Sequence, residues 1–183
     1  MILVRHGQSL FNLHFTQTRV DPGIEDPELT DLGRAQALSA ARAREGVRLR
    51  RVIASPYSRA LQTAEVICGH LGLDLSHVEP LVGERAAFAC DVGSHPAVLA
   101  TRFPTVALDH LPPRWWPEME ESEAALASRC QRFHAAMAEH PERDEVLVVS
   151  HWGFIRGLTG LAVTNGTVVR VPRDGAAEVV HIP

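Results

Sequence analysis

The chain is predicted to be an α/β protein: a three-layer sandwich with a mostly parallel central sheet, an antiparallel edge, and helices on both faces. Three observations support this. Short apolar, β-branched runs alternate with segments of helical periodicity, the pattern of strands joined by crossover helices. The run from Glu145 to Val149 is strongly apolar and β-branched after its first residue, as in a central strand covered on both faces. The last two runs flank an Asp174-Gly175 pair, the signature of a hairpin and hence of an antiparallel edge.

In chain order, Ile2 to Val4 is the first strand. Thr30 caps a helix with Leu32, Ala35 and Leu38 on one face, ending near Gly46. Arg51 to Ala54 is the second strand, and Ser58 opens a helix carrying Leu61, Ala64, Cys68 and Leu71, stopped by Gly72. Val78 to Val82 has the composition of a third strand. His95 to Phe103 is a short helix ended by Pro104. Leu126, Cys130, Phe133 and Met137 form the clearest helical stripe, with Pro141 just beyond it. A short helix spans Trp152 to Leu161, and Val168–Val171 and Glu178–Ile182 complete the sheet. At 183 residues a single domain is expected, with 84–120 as a loop or lid insertion. Within it, Trp115-Trp116 is either a lid or a buried anchor for a long loop.

The net charge of -4 argues against broad nucleic-acid binding. All 18 basic residues are arginine, whose planar fork matches phosphate oxygens. Cys68, Cys90 and Cys130 are odd in number and widely spaced, which speaks against a disulfide framework or zinc site and for a reducing, cytoplasmic setting. The start of the chain is charged too soon for a signal peptide, and no apolar run approaches membrane-spanning length. Ten histidines raise the question of a metal, but no H-E-x-x-H or tight ligand cluster occurs, so neither metal nor cofactor is expected. His14 alone among the scattered histidines lies close to the first strand end.

Each predicted strand of the parallel set stops at a polar group. The first ends at Arg5-His6-Gly7 and the second at Ser55-Pro56, with Arg59 one turn on. The third ends at Gly83-Glu84-Arg85 and the last long one at Ser150-His151. Ligands of open α/β sheets bind beyond the carboxyl ends of the strands, so these groups would share a crevice. Arg59 and His151 also stand at helix N-termini, where a cation is unfavourable unless an anion lies between.

These residues carry a resemblance. Leu3-Val4-Arg5-His6-Gly7-Gln8-Ser9 with Asn12 resembles the signature of the histidine phosphatase, or phosphoglycerate mutase-like, superfamily. Leu29 to Ala37 is similar to its L-T-x-x-G-x-x-Q-A segment, Ser55 to Ala64 to its second phosphate motif, and Val148 to Gly153 with Ile155-Arg156 to its C-terminal histidine motif. The resemblance implies a phosphoglycerate mutase-like fold and a nucleophilic His6. Arg5, Arg59 and His151 would surround the phosphoryl group, with Asn12, Gln8, Ser9, Arg85 and Trp152 contacting phosphate or substrate. Glu84 would be the proton donor. Here the sequence after Glu84 departs from the family's usual glycine and W-E-G-like continuation, which leaves Asp91 as a rival acid.

The resemblance implies a phosphatase acting on a small phosphorylated substrate, with a cofactor-dependent phosphoglycerate mutase as the alternative. Arg19 and Arg85 suit the alternative. A non-catalytic binding module on the same fold is the third reading. Nucleic acid and membrane are not expected partners, and either a monomer or a homodimer is compatible with the chain.

Overall fold

The computed structural model describes all 183 residues. Six strands form one sheet in the order β3-β2-β4-β1-β5-β6. They are β1 (Ile2–Arg5), β2 (Arg51–Ala54), β3 (Leu75–Val78), β4 (Val146–Ser150), β5 (Val168–Arg170) and β6 (Glu178–His181). The first four are mutually parallel; β5 and β6 add the antiparallel edge expected from the sequence.

Strand β4 is buried at all five positions, as a central strand covered on both faces must be. Its side chains alternate between two cores. Leu147 and Val149 join Ile2, Val4, Val52 and Ala54 against α2 (Asp31–Arg42) and α3 (Ser58–Leu71). Val146 and Val148 join Leu3 and Val169 against α5 (Glu123–Ala138) and α6 (Trp152–Thr159). The strand period of two thus sorts one sequence into two apolar layers.

The structure differs from expectation in three places. Helix α1 (Leu10–Thr18) follows β1 directly, although its hydrophobic stripe is too weak to predict it; only Phe11 is buried. It is started by a capping box in which Ser9 accepts from the Asn12 amide and Asn12 Oδ1 accepts from Ser9 N. The third strand lies earlier, at Leu75–Val78, because Pro80 lacks the amide a ladder needs and opens a 3₁₀ turn over Pro80–Val82. That turn carries the chain across the sheet end to Glu84. Helix α3 begins at Ser58, as expected; Tyr57 before it makes no side-chain cap, and the Ser58 hydroxyl donates to Asp26 Oδ2 at 2.7 Å. Residues 84–91 line the cleft described below, whereas the rest of 84–120 packs elsewhere. Leu99 of α4 (Pro96–Arg102), together with Phe103, Leu108, Leu111 and Trp115, is built into the α2–α3 core. Trp115 is therefore an anchor, held edge-on to Tyr57 with ring centroids 4.7 Å apart.

The loop after β1 is locked onto the start of α2 by a glycine pair. A Cβ on Gly7 would stand 2.1 Å from Gly33 O, and a Cβ on Gly33 would stand 2.1 Å from Gln8 O. Both obstacles are backbone, so neither can swing aside. The contact explains why glycine occupies both positions and how the segment carrying His6 is held. We expect Gly33→Ala to lower stability by about 3 kcal/mol through overpacking, read as a reduced urea midpoint. A change below ~0.5 kcal/mol would mean that this backbone contact is slack.

Candidate active site

The site forms between the carboxyl ends of β1 and β4. Their parallel register aligns Arg5 with Ser150, and His6 N donates to Ser150 O at 2.9 Å. Beyond this point β1 leads toward the α2 face and β4 toward α6 on the other, so a crevice opens between them. It brings His6 and His151 together, with ring centroids 5.0 Å apart and planes inclined at 59°.

His6 is buried, and its Nδ1 lies 2.7 Å from Gly7 O. A carbonyl can only accept, so Nδ1 carries the proton and Nε2 keeps its lone pair. Desolvation, then the charges of Arg59 and Arg5, hold the imidazole well below its ordinary pKa. A neutral ring with a free Nε2 is the form a nucleophile needs.

His151 is fully buried, and its Nε2 lies 2.8 Å from Ser55 Oγ. Its Nδ1 has no partner, and neither does Nε of Arg5. Arg5 lines the cleft, and its buried, unsatisfied Nε points to a polar ligand that completes it; His151 lies behind that lining, against His6. Burial, followed by the charge of Arg59, also keeps His151 well below its ordinary pKa.

The cations are fixed from behind. Arg5 Nη1 donates to Val163 O at 2.6 Å. Burial lowers Arg5 to about 10, leaving it charged at neutral pH. Arg59 donates through Nη1 to Cys90 O at 2.7 Å and through Nη2 to Asp91 Oδ1 at 3.1 Å, with its guanidinium 4.4 Å from the Tyr57 ring centroid. Burial opposes the Arg59 charge, but Cys90 and Asp91 outweigh it and lift the pKa above its usual value.

The two candidate acids are in different positions. Asp91 is buried, with Oδ2 accepting from the amides of Ala87 and Phe88 and Oδ1 from Arg59. Its oxygens are occupied, and its geometry is that of a brace for Arg59. Glu84 is half-buried at the cleft, and only Oε1 is held, by the amides of Gly153 at 2.7 Å and Arg85 at 2.8 Å. A Cβ at position 153 would meet that oxygen at 2.3 Å, so glycine is what permits the docking. Desolvation, then the Asp91 charge, raises the Glu84 pKa. A carboxyl so placed can carry a proton and deliver it.

Other expected contacts are distributed unevenly. Asn12 lines the cleft with Oδ1 held by Ser9 and Asn165, leaving Nδ2 toward no protein acceptor. Ser9 lines the cleft too, but its hydroxyl serves the helix cap. Trp152 and Arg85 stand on the cleft wall; Arg85 is committed to Glu121 O at 2.9 Å and Glu123 at 3.1 Å. Gln8 is a correction: its Oε1 accepts from Thr30 at 2.9 Å, away from the cleft lining, because the Gly7–Gly33 contact turns it toward α2. His14 is exposed on α1 and is not part of the lining.

Several residues were not evident from the sequence. Asn165 donates to both His6 O and Asn12 Oδ1 at 3.1 Å, tying the β4–β5 side of the chain to the first motif. Arg129 of α5 meets both oxygens of Glu121 at 2.8 Å and donates to the carbonyls of Leu81, Gly83 and Glu84 at 2.7 to 2.9 Å. It therefore fixes the backbone that presents Glu84. Glu121 and Arg129 lie eight residues apart, a spacing that by itself signals nothing.

Comparison with known proteins agrees with this geometry. The profile of the histidine phosphatase superfamily (branch 1) matches residues 1–172. Over 71 residues the chain is 41% identical to a 2,3-bisphosphoglycerate-dependent phosphoglycerate mutase of Brucella ovis. That stretch is 39% of this chain and 32% of the mutase, so the match spans about a third of the relative. Among solved structures, mycobacterial hydrolase 1 superposes with a TM-score of 0.63 at 25% identity, covering 92% of this chain and 89% of the other. The putative alpha-ribazole-5'-P phosphatase of Escherichia coli shares the fold, with TM-score 0.60, 21% identity, and 97% and 92% of the two chains covered.

The buried neutral imidazoles make stability depend on pH with a definite sign. Their pKa values in the folded chain lie below the unfolded value of about 6.5, so below that pH the unfolded chain binds protons the folded one refuses. Stability is expected to fall as pH drops from 7 to 5.5, by up to about 1.4 kcal/mol per pH unit for each ring. Urea denaturation should show a smaller drop in His6→Asn than in the unsubstituted chain. Identical drops would show that His6 accepts a proton in the folded state.

Proposed function

The chain belongs to the histidine phosphatase superfamily, and from that premise we propose that it hydrolyses a small phosphate monoester through a phosphohistidine on His6. One observation carries the reading: His6, with its proton held on Nδ1 and Nε2 left free, lines one cleft together with Arg5, Arg59 and Glu84.

The ester's phosphoryl group lies among Arg5, Arg59 and the Nδ1 of His151, which offset the charge on its oxygens as the transfer proceeds. Nε2 of His6 bonds to phosphorus as the ester P–O bond breaks. Glu84 gives its proton to the departing alkoxide. Water then attacks phosphorus, the N–P bond breaks, and Glu84 takes a proton from the water. The products are an alcohol and inorganic phosphate. Positioning and fixed positive charge do most of the work, and both come from side chains already held by the fold.

The identity to the Brucella mutase favours a second reading, phosphoglycerate mutase. A mutase must also retain a doubly phosphorylated intermediate, which calls for more free cations. Arg85 is already tied to Glu121 and Glu123, which leaves Arg19 as the further cleft arginine without an acidic partner. Hydrolysis is therefore the reading the cleft supports better.

Replacing His6 with Ala is expected to reduce turnover of p-nitrophenyl phosphate at least ~10³-fold while circular dichroism stays unchanged. Retention of most activity would remove His6 as the nucleophile. For Glu84→Gln the expected loss is ~10² or more with alkyl esters and much less with aryl esters, whose aryloxide leaving groups need little or no proton donation. Equal losses for both classes would relieve Glu84 of its role.

A further inference from the structure

The cleft encloses about 570 Å³, within the size range of small-molecule sites and far more than a phosphoryl group fills. Its outer part is built from aromatic rings. Phe11 and Phe15, one turn apart on α1, stack with centroids 5.1 Å apart, and Phe88 lies against both at 5.4 and 5.0 Å. Trp152 lines the same cleft from the start of α6. Phe88 is 37% exposed and Trp152 is 38% exposed, so apolar surface of the cleft lining is left to water, although Arg156 covers part of the Trp152 ring at 5.1 Å.

Four of the polar wall groups, by contrast, are engaged within the protein. Ser9 serves Asn12, Thr164 pairs with Thr167 at 3.0 Å, and Asn165 and Arg85 are committed as described. A polyhydroxy leaving group would find few unengaged partners among these four, and the free cation of the wall is Arg19, whose guanidinium lies 5.9 Å from the Phe15 ring centroid. An aromatic ring would find matching faces at the 4.5–7 Å spacing such rings prefer. The wall is also fixed relative to the phosphate cations. Phe88 N donates to Asp91 Oδ2 at 3.1 Å, and the other oxygen of that carboxylate holds Arg59. One carboxylate therefore sets the distance between the ring wall and the guanidinium.

From this juxtaposition we propose that the cleft selects phosphate esters whose alcohol carries an aromatic ring, with Phe88, Phe15 and Trp152 as the specificity-determining residues. The proposal rests on the hydrolase reading for its chemistry, but its recognition step can be measured without turnover.

The test has two arms. In the first, 2-phenylethyl phosphate and glycerol 3-phosphate are compared as substrates, since both leave as primary alkoxides. The expected preference in kcat/KM is about tenfold or more for the phenylethyl ester. In the second, calorimetry compares 2-phenylethylphosphonate with ethylphosphonate, neither of which can be hydrolysed. The ring should tighten binding about tenfold, and Phe88→Ala should bring that ratio toward one. Phe88→Leu, which keeps apolar bulk at a partly exposed position, should lower the ratio partway and guards against a folding defect in the alanine variant. Equal affinity for the two phosphonates overturns the ring subsite whatever the esters do. A preference for glycerol 3-phosphate overturns it as well. A ring preference in binding with no turnover of either ester upholds the subsite and sinks the hydrolase reading.

Discussion

The site depends on one constraint, the parallel pairing of β1 with β4. These strands are separated by most of the chain, yet their register sets Arg5 beside Ser150 and hence His6 beside His151. A shift of one residue would send every β1 side chain to the opposite face and exchange the contents of the two cores. Ile2 and Val4 would face α5 and α6, and Met1 and Leu3 would face α2 and α3. The same apolar alternation that stabilises the sheet therefore sets the spacing of the two imidazoles.

Around that pairing the protein concentrates positive charge in a site that water barely reaches. Each cation is anchored behind by a carbonyl or a carboxylate: Arg5 by Val163, and Arg59 by Cys90 and Asp91. The imidazoles stay neutral because burial and the guanidiniums disfavour further charge. The result is a cleft whose positive charge is held in place by the fold itself.

A third layer of residues acts at a distance. Arg129 holds the carbonyls around Glu84, Gly153 opens space for its oxygen, and Asn165 bridges Asn12 and the His6 backbone. Arg129 is buried and paired with a buried carboxylate. Such a pair is worth little for stability against an apolar replacement. Its evident use here is geometric, since the irregular backbone from the Pro80–Val82 turn to Glu84 has no ladder to hold it.

The sequence by itself determined the α/β class, the alternation of strands and helices, the antiparallel edge, and the strand ends at which His6, Arg59 and His151 stand. Those features are local: periodicity, turn chemistry and motif spacing all lie within a few residues. It did not disclose α1, whose start depends on a Ser9–Asn12 cap more than on an apolar stripe, nor the true place of β3, displaced by Pro80. Gln8 turned away from the cleft because two glycines press the backbone of its loop onto α2. Trp115 became core because a fold of this size needs apolar cover for α3, and only packing reveals which long loop supplies it. Likewise only tertiary structure shows that Asp91 has its oxygens filled by Arg59 and two amides while Glu84 has one oxygen held, because those partners are largely remote in sequence.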